Sequence, residues 1–214
     1  MFRSATDLAF EQHVNFLTLS IRAIVVAVLC LTACATTPSA RVDEFLDERT
    51  GASVTFMHEP LTFALERSTL AAHARDYVSL TAIEVDRSGQ AQLYLLGYFW
   101  STIDRRKGSQ APNPADKTLA LFADGRAIRL EPDAALPADL TASRQLRAPQ
   151  TAHFEAAAYR VTLELLRYIS TSRVLTLQPA AETDDADSEA ETYEIWTDSR
   201  SALRGFVARV SPSR

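Results

Sequence analysis

The stretch "DYVSLTAIEVDRSGQAQLYLLGYFWSTID", residues 76–104, decides how this chain folds. Two long runs rich in Val, Ile, Leu, Tyr and Phe flank Asp86-Arg87-Ser88-Gly89. Branched and aromatic side chains suit a pleated, half-buried surface. A glycine between the runs supplies the left-handed backbone that tight hairpin turns require. The pattern predicts a hairpin of two long strands, Tyr77–Asp86 and Gln92–Ile103. Alternation along the second strand places Tyr98 and Trp100 on one face and Phe99 on the other.

The flanking segments read in the same way. Upstream, "SVTFM" and "LTFALE" are short strand-like runs separated by His58-Glu59-Pro60, where proline interrupts pairing. "TLAAHAR" is alanine-rich and reads as a short helix. Downstream, Asp124-Gly125 between "TLALF" and "RAIRL" is a strong hairpin signal. "HFEAAAYRV", "RVLTLQP" and "TYEIW" read as further strands, the last two joined by the acidic stretch "AAETDDADSEAE".

The period changes twice. In "TLELLRYIS", Leu163, Leu166 and Ile169, with Leu165 beside them, fit one helical face, and Thr162 is placed to cap it. In "SRSALRGFVARV", Ala202, Leu203, Phe206, Val207 and Val210 share a face away from Arg200, Arg204 and Arg209, with Asp198 or Ser199 as the cap. Gly205 weakens that helix by about 1 kcal/mol relative to alanine. Hairpins outnumber any strand–helix–strand pattern, which argues against a doubly wound parallel sheet. The expected fold is α+β: a single antiparallel β-rich domain, a sandwich or a sheet of hairpins, with one or two C-terminal helices.

The N-terminal part follows other rules. "SIRAIVVAVLCLTACATTPSA" sets one arginine before an uninterrupted apolar run and small residues around Cys34. That order is the layout of a secretory signal peptide. The run is far shorter than the roughly 20 apolar residues a spanning helix needs, and it has no polar stripe. Leu31-Thr32-Ala33-Cys34 resembles the lipobox of bacterial lipoproteins. The resemblance implies that Cys34 carries a diacylglycerol, that residues 1–33 are removed, and that the new amino group takes a further fatty acyl chain such as palmitate. Two or three acyl chains anchor firmly because each buried methylene contributes about 0.8 kcal/mol. Ala35 implies, by the sorting pattern of Gram-negative lipoproteins, the outer membrane with the domain facing the periplasm.

The region before Arg22 is long for a signal peptide, and Arg3 and Arg22 offset Asp7 and Glu11. Initiation at Val14 gives a leader of ordinary proportions. Residues 34–52 read as the lipidated N-terminus and a tether, with "VDEFLDE" as a short helical turn, and residues 53–214 as the globular domain. Extended, Cys34 to Asp43 spans about 30 Å.

Composition narrows the chemistry. Cys30 leaves with the leader and Cys34 is acylated, so the expected domain has neither disulfide nor thiol nucleophile. A net charge of −5, unchanged by removal of the leader, argues against nucleic acid. His58, His73 and His153 lie in three separate segments, and His-Glu-x-x-His is absent. Asp185, Asp187 and Glu189 alternate, but Ala190 and Trp196 stand where a calcium loop needs Gly and Glu. Glycines are scattered singly, so no phosphate cradle is visible. No cofactor is expected.

Two groups remain for partner contact: Tyr98 with Trp100 as an aromatic platform for a glycan or partner, against the alternative that one set of rings lines the core and the other is half covered, and Arg105 with Arg106 at the strand exit for an anionic partner, against that of a solvated loop mouth. The functional expectation is a non-catalytic binding or accessory lipoprotein of the envelope, membrane-held through its lipid and contacting an envelope protein. A small-molecule or glycan binder is the alternative. An envelope hydrolase would need a catalytic constellation that the sequence does not display.

Overall fold

The computed structural model describes residues 41–71, 73–102, 117–134, 144–146, 148–151, 153–180 and 191–211. Among them, ten strands form one antiparallel sheet, accompanied by two helices late in the chain. The α+β, hairpin-built expectation is the observed fold.

The sheet grows from the long hairpin. β4 (Arg75–Arg87) and β5 (Gln90–Ser101) pair along their whole length, from Asp76 opposite Ser101 to Arg87 opposite Gln90. Ser88 and Gly89 both take positive φ, 57° and 82°. This is the left-handed pair that matches the strands' own twist. The second predicted hairpin behaves identically: β6 (Leu119–Ala123) and β7 (Arg126–Leu130) are joined by Asp124 and Gly125 at φ 47° and 81°.

The other edge of β4 is shared by two strands placed end to end. β2 (Ala52–Met57) lies along its C-terminal half and β3 (Leu61–Glu66) along its N-terminal half. From Phe56 to Leu61 the chain advances five residues while β4 retreats only three, from Ile83 to Leu80. Residues 58–60 absorb the difference, and Pro60 has no N–H to offer a ladder there. At this break the sheet divides. β2 continues to β1 (Val42–Asp47), and β3 to β10 (Tyr193–Thr197), β9 (Leu175–Pro179), β6 and β7.

On the far side, β5 pairs with β8 (Glu155–Arg160). A single bridge from Pro132, just past β7, to Tyr159 of β8 brings the pairing path back on itself. The Asp133 N–H donates to the Ala158 carbonyl at 2.7 Å beside it.

Two apolar clusters result. Val78, Leu80 and Ala82 of β4 and Leu95 of β5 meet the helices α1 (Leu163–Thr171) and α2 (Arg200–Val210) through Leu166, Ile169, Leu203 and Phe206. The alternate residues Ile83, Val85, Tyr94, Leu96 and Tyr98 pack with Val54, Phe56 and Leu146. The long hairpin is buried on both faces, which explains its nearly unbroken apolar composition. Thr162 caps α1 by accepting the Leu165 N–H. At α2, Ser199 makes no side-chain cap, and the Asp198 carboxylate accepts the Arg200 N–H instead.

Two local expectations are corrected. "VDEFLDE" is strand, not helical turn: β1 pairs with β2 from Val42 opposite Met57 to Asp47 opposite Ala52, so the sheet begins inside the segment read as tether. Alternation of Val42 and Phe45 against two different clusters is a strand pattern that the surrounding acidic residues obscure. The described residues of "TLAAHAR" form a turn that runs into β4 at Arg75, not a helix. The Arg67 N–H donates to the Ala74 carbonyl at 2.8 Å, continuing the β3–β4 ladder and closing the loop too tightly for a helix.

Candidate functional site

Across the N-terminal end of β4, directly opposed residues share one face of the sheet. Trp100 of β5 opposes Tyr77, Tyr77 opposes Ala64 of β3, and Ala64 opposes Glu194 of β10. Thr176 of β9 continues the row beside Glu194. Tyr77 and Trp100 stack with centroids 5.2 Å apart and planes 10° from parallel.

Trp196 joins this row by an irregularity. Ile195 opposes Phe63 and Thr197 opposes Thr62, so Trp196 is the extra residue of a bulge. Bulges re-aim a side chain out of the regular alternation. The Trp196 ring lies edge-on to Tyr77 at 6.0 Å, and the Arg75 guanidinium sits 4.7 Å above it. Arg75 also donates to Glu66 at 2.8 Å. Glu66 is the first cause of an Arg75 pKa raised above its usual value, so the guanidinium stays charged. Trp196 remains 56% exposed. A rigid, half-exposed indole beside a short stack of rings is the most distinctive surface feature of the described domain.

The predicted residues distribute unevenly. Trp100 is half-buried in the ring stack. Tyr98 is corrected: at 1% exposure it is a core group, its ring edge-on to Phe154 at 5.5 Å, and burial pushes its phenol pKa up. Arg105, Arg106, Cys34, Asp185, Asp187 and Glu189 lie outside the described residues. His58 binds Asp43 at 2.6 Å, His73 occupies a turn at φ 64°, and His153 accepts from Thr151 through its carbonyl. The three do not converge. Among the described residues no three His, Cys, Asp or Glu side chains gather as a metal site, and no helix is long and apolar enough to cross a membrane. Comparison with protein-family models, curated proteins and solved structures gave no match.

Two polar sites were not anticipated from sequence. Lys117 is buried at 3% exposure, ion-paired with Glu155 and 5.2 Å from the centre of the Phe99 ring. Burial pulls its amine below the usual lysine range. The Tyr159 hydroxyl donates to the Lys117 carbonyl at 2.7 Å, which holds this corner.

An open depression of about 460 Å³ lies between the helices, lined by Ser172, Arg173, Asp198, Arg200, Ser201 and Arg204. Two of its arginines serve the fold. Arg200 pairs with Asp198 and donates to the Ser172 and Arg173 carbonyls, and Arg204 donates to the Ser170 carbonyl at 3.2 Å. The Ser170 and Ser172 carbonyls are among those that the end of α1 leaves without helical partners.

Proposed function

We propose that this chain is a lipid-anchored, periplasm-facing envelope protein that acts by binding, as an accessory component without catalysis of its own. Cys34 is the lipidated residue, and the outer membrane is the proposed location. The binding face is the ledge formed by Trp196, Tyr77 and Trp100 with Arg75. The observation that carries the reading is the bulge in β10, which lifts a large indole out of the sheet while two neighbours hold it in place. Such a ring loses little side-chain entropy on contact, so its apolar area is available for affinity.

The test combines anchoring with contact. Cells labelled with tagged palmitate should yield a labelled protein in the outer-membrane fraction, and Cys34→Ala should be unlabelled and absent from that fraction. A photocrosslinking residue at position 196 should capture envelope material that the same probe at Leu46, exposed on β1, does not. A Cys34→Ala protein that fractionates like the parent refutes the anchor, and equal capture from both positions refutes the ledge.

A further inference from the structure

The ledge has a composition that selects among partners. Its aromatic part is small: Trp196 is the single exposed large apolar side chain on β3, β4, β5 and β10 among the described residues. A stable protein–protein interface buries about 800 Å² on each partner, with several apolar anchors at its centre. One indole is well short of that. It matches the footprint of one or two sugar rings.

The polar groups are mixed in kind. Glu194 and Thr176 share the outer face of the sheet with Tyr77 and Trp100, with the small Ala64 between them as a low point. Glu66 and Arg75 form an ion pair alongside, and the Glu66 side chain is 64% exposed. The surface therefore offers carboxylate and hydroxyl acceptors together with hydroxyl and guanidinium donors. Two carboxylates against one guanidinium give no positive field to hold a polyanion, and Arg75 already occupies the cation position over the indole. What remains is a neutral ligand with a flat C–H face and many hydroxyls.

We infer that the Trp196 ledge binds the neutral glycan strand of the cell wall, its β-linked amino-sugar backbone rather than the carboxylate-bearing peptide stems. Trp196 stacks against the apolar face of a pyranose ring, and Glu194, Thr176 and the Glu66–Arg75 pair hydrogen-bond its hydroxyl and amide groups. The inference rests on the ledge being the binding face proposed above.

The experiment uses the full lipidated protein in detergent with two probes, purified cell-wall sacculi and the β-1,4-linked trimer of N-acetylglucosamine. The parent should co-sediment with sacculi, and the trimer should compete and shift its tryptophan emission. Trp196→Ala should weaken sedimentation by about tenfold, the scale of one lost aromatic contact. Trp196→Tyr should retain most of the binding. Urea midpoints equal to the parent's show that both variants are folded.

Undiminished binding by Trp196→Ala overturns the inference. So does a parent that neither sediments nor responds to the trimer. In that second case the in-cell probe at position 196 separates the two failures. Continued capture of an envelope protein leaves the ledge as a binding face for a different partner, whereas no capture removes the ledge reading as well.

Discussion

Gly97→Ala tests whether the centre of the sheet is packed as tightly as described. Gly97 lies on β5 opposite Leu80 and Ala157. A Cβ built there would meet Tyr159 Cε2 at 3.0 Å, Phe99 Cε2 at 3.4 Å and the Ala157 carbonyl oxygen at 3.5 Å. The Tyr159 ring is fully buried and tied at its far end to the Lys117 carbonyl, so it has little freedom to retreat. Forcing a methyl group into a packed core costs about 1–3 kcal/mol. Replacing glycine recovers about 0.4–1 kcal/mol by restricting the unfolded chain. With the ring pinned, the cost lies in the upper part of its range and the net expectation is a loss of about 1–2 kcal/mol, which with a urea slope of about 2 kcal/mol/M moves the midpoint down by roughly 0.5–1 M.

Urea unfolding followed by tryptophan emission measures the shift. Tyr159→Phe supplies the second arm, because removing the hydroxyl releases the ring. Gly97→Ala should cost less in that background, by about 0.5 kcal/mol or more. A Gly97→Ala protein as stable as the parent would refute the packing argument. An undiminished cost in the Tyr159→Phe background would refute the claim that the hydroxyl pins the ring.

Other predictions concern charge and turns. Glu155→Gln leaves the buried Lys117 ammonium without its counter-charge, whereas Lys117→Met leaves a Glu155 side chain that is 34% exposed and can be hydrated; the first should lower the urea midpoint more than the second. Because burial depresses the folded pKa of Lys117, the unfolded chain binds more protons, and the Glu155→Gln variant should gain stability as pH rises from neutral towards the lysine range. A flat profile there would count against a charged amine in the core. Asp43 is held below its ordinary value of 3.8 first by its hydrogen bond to His58, so the stability it contributes is fully present above that value and lost as pH falls through the folded pKa. His58→Gln should therefore differ from the parent most above pH 3.8 and converge with it in stronger acid; equal differences throughout would exclude the pair as the cause. The Asp124 carboxylate accepts the Arg173 and Val174 N–H groups at 2.8 and 2.9 Å from a left-handed turn position. Asp124→Gly keeps the turn and loses both bonds, so a cost of about 1–2 kcal/mol is expected by urea unfolding, while Asp124→Asn should stay within about 1 kcal/mol of the parent.

Sequence alone determined the features whose causes are local. The turns at Ser88-Gly89 and Asp124-Gly125 depend on a few adjacent residues that tolerate left-handed backbone, and the helices depend on a short apolar period with a cap. These were legible together with the antiparallel class they imply. The proposed leader and lipidation at Cys34 rest on equally local motifs, read from a few contiguous residues.

Tertiary structure decided what depends on distant partners. β1 looks like an acidic tether until β2 is placed beside it, and "TLAAHAR" looks helical until Arg67 and Ala74 close the β3–β4 ladder. Tyr98 and Trp100 have the same periodicity in sequence, yet Phe154 seals the first while the second stays half open in a ring stack. The candidate site was the least legible feature of all. Arg75, Tyr77, Trp100 and Trp196 come from three strands, and the bulge that lifts Trp196 reflects the different registers at which β10 meets β3 on either side of it. Register is a property of paired strands, and a single chain read in order does not contain it.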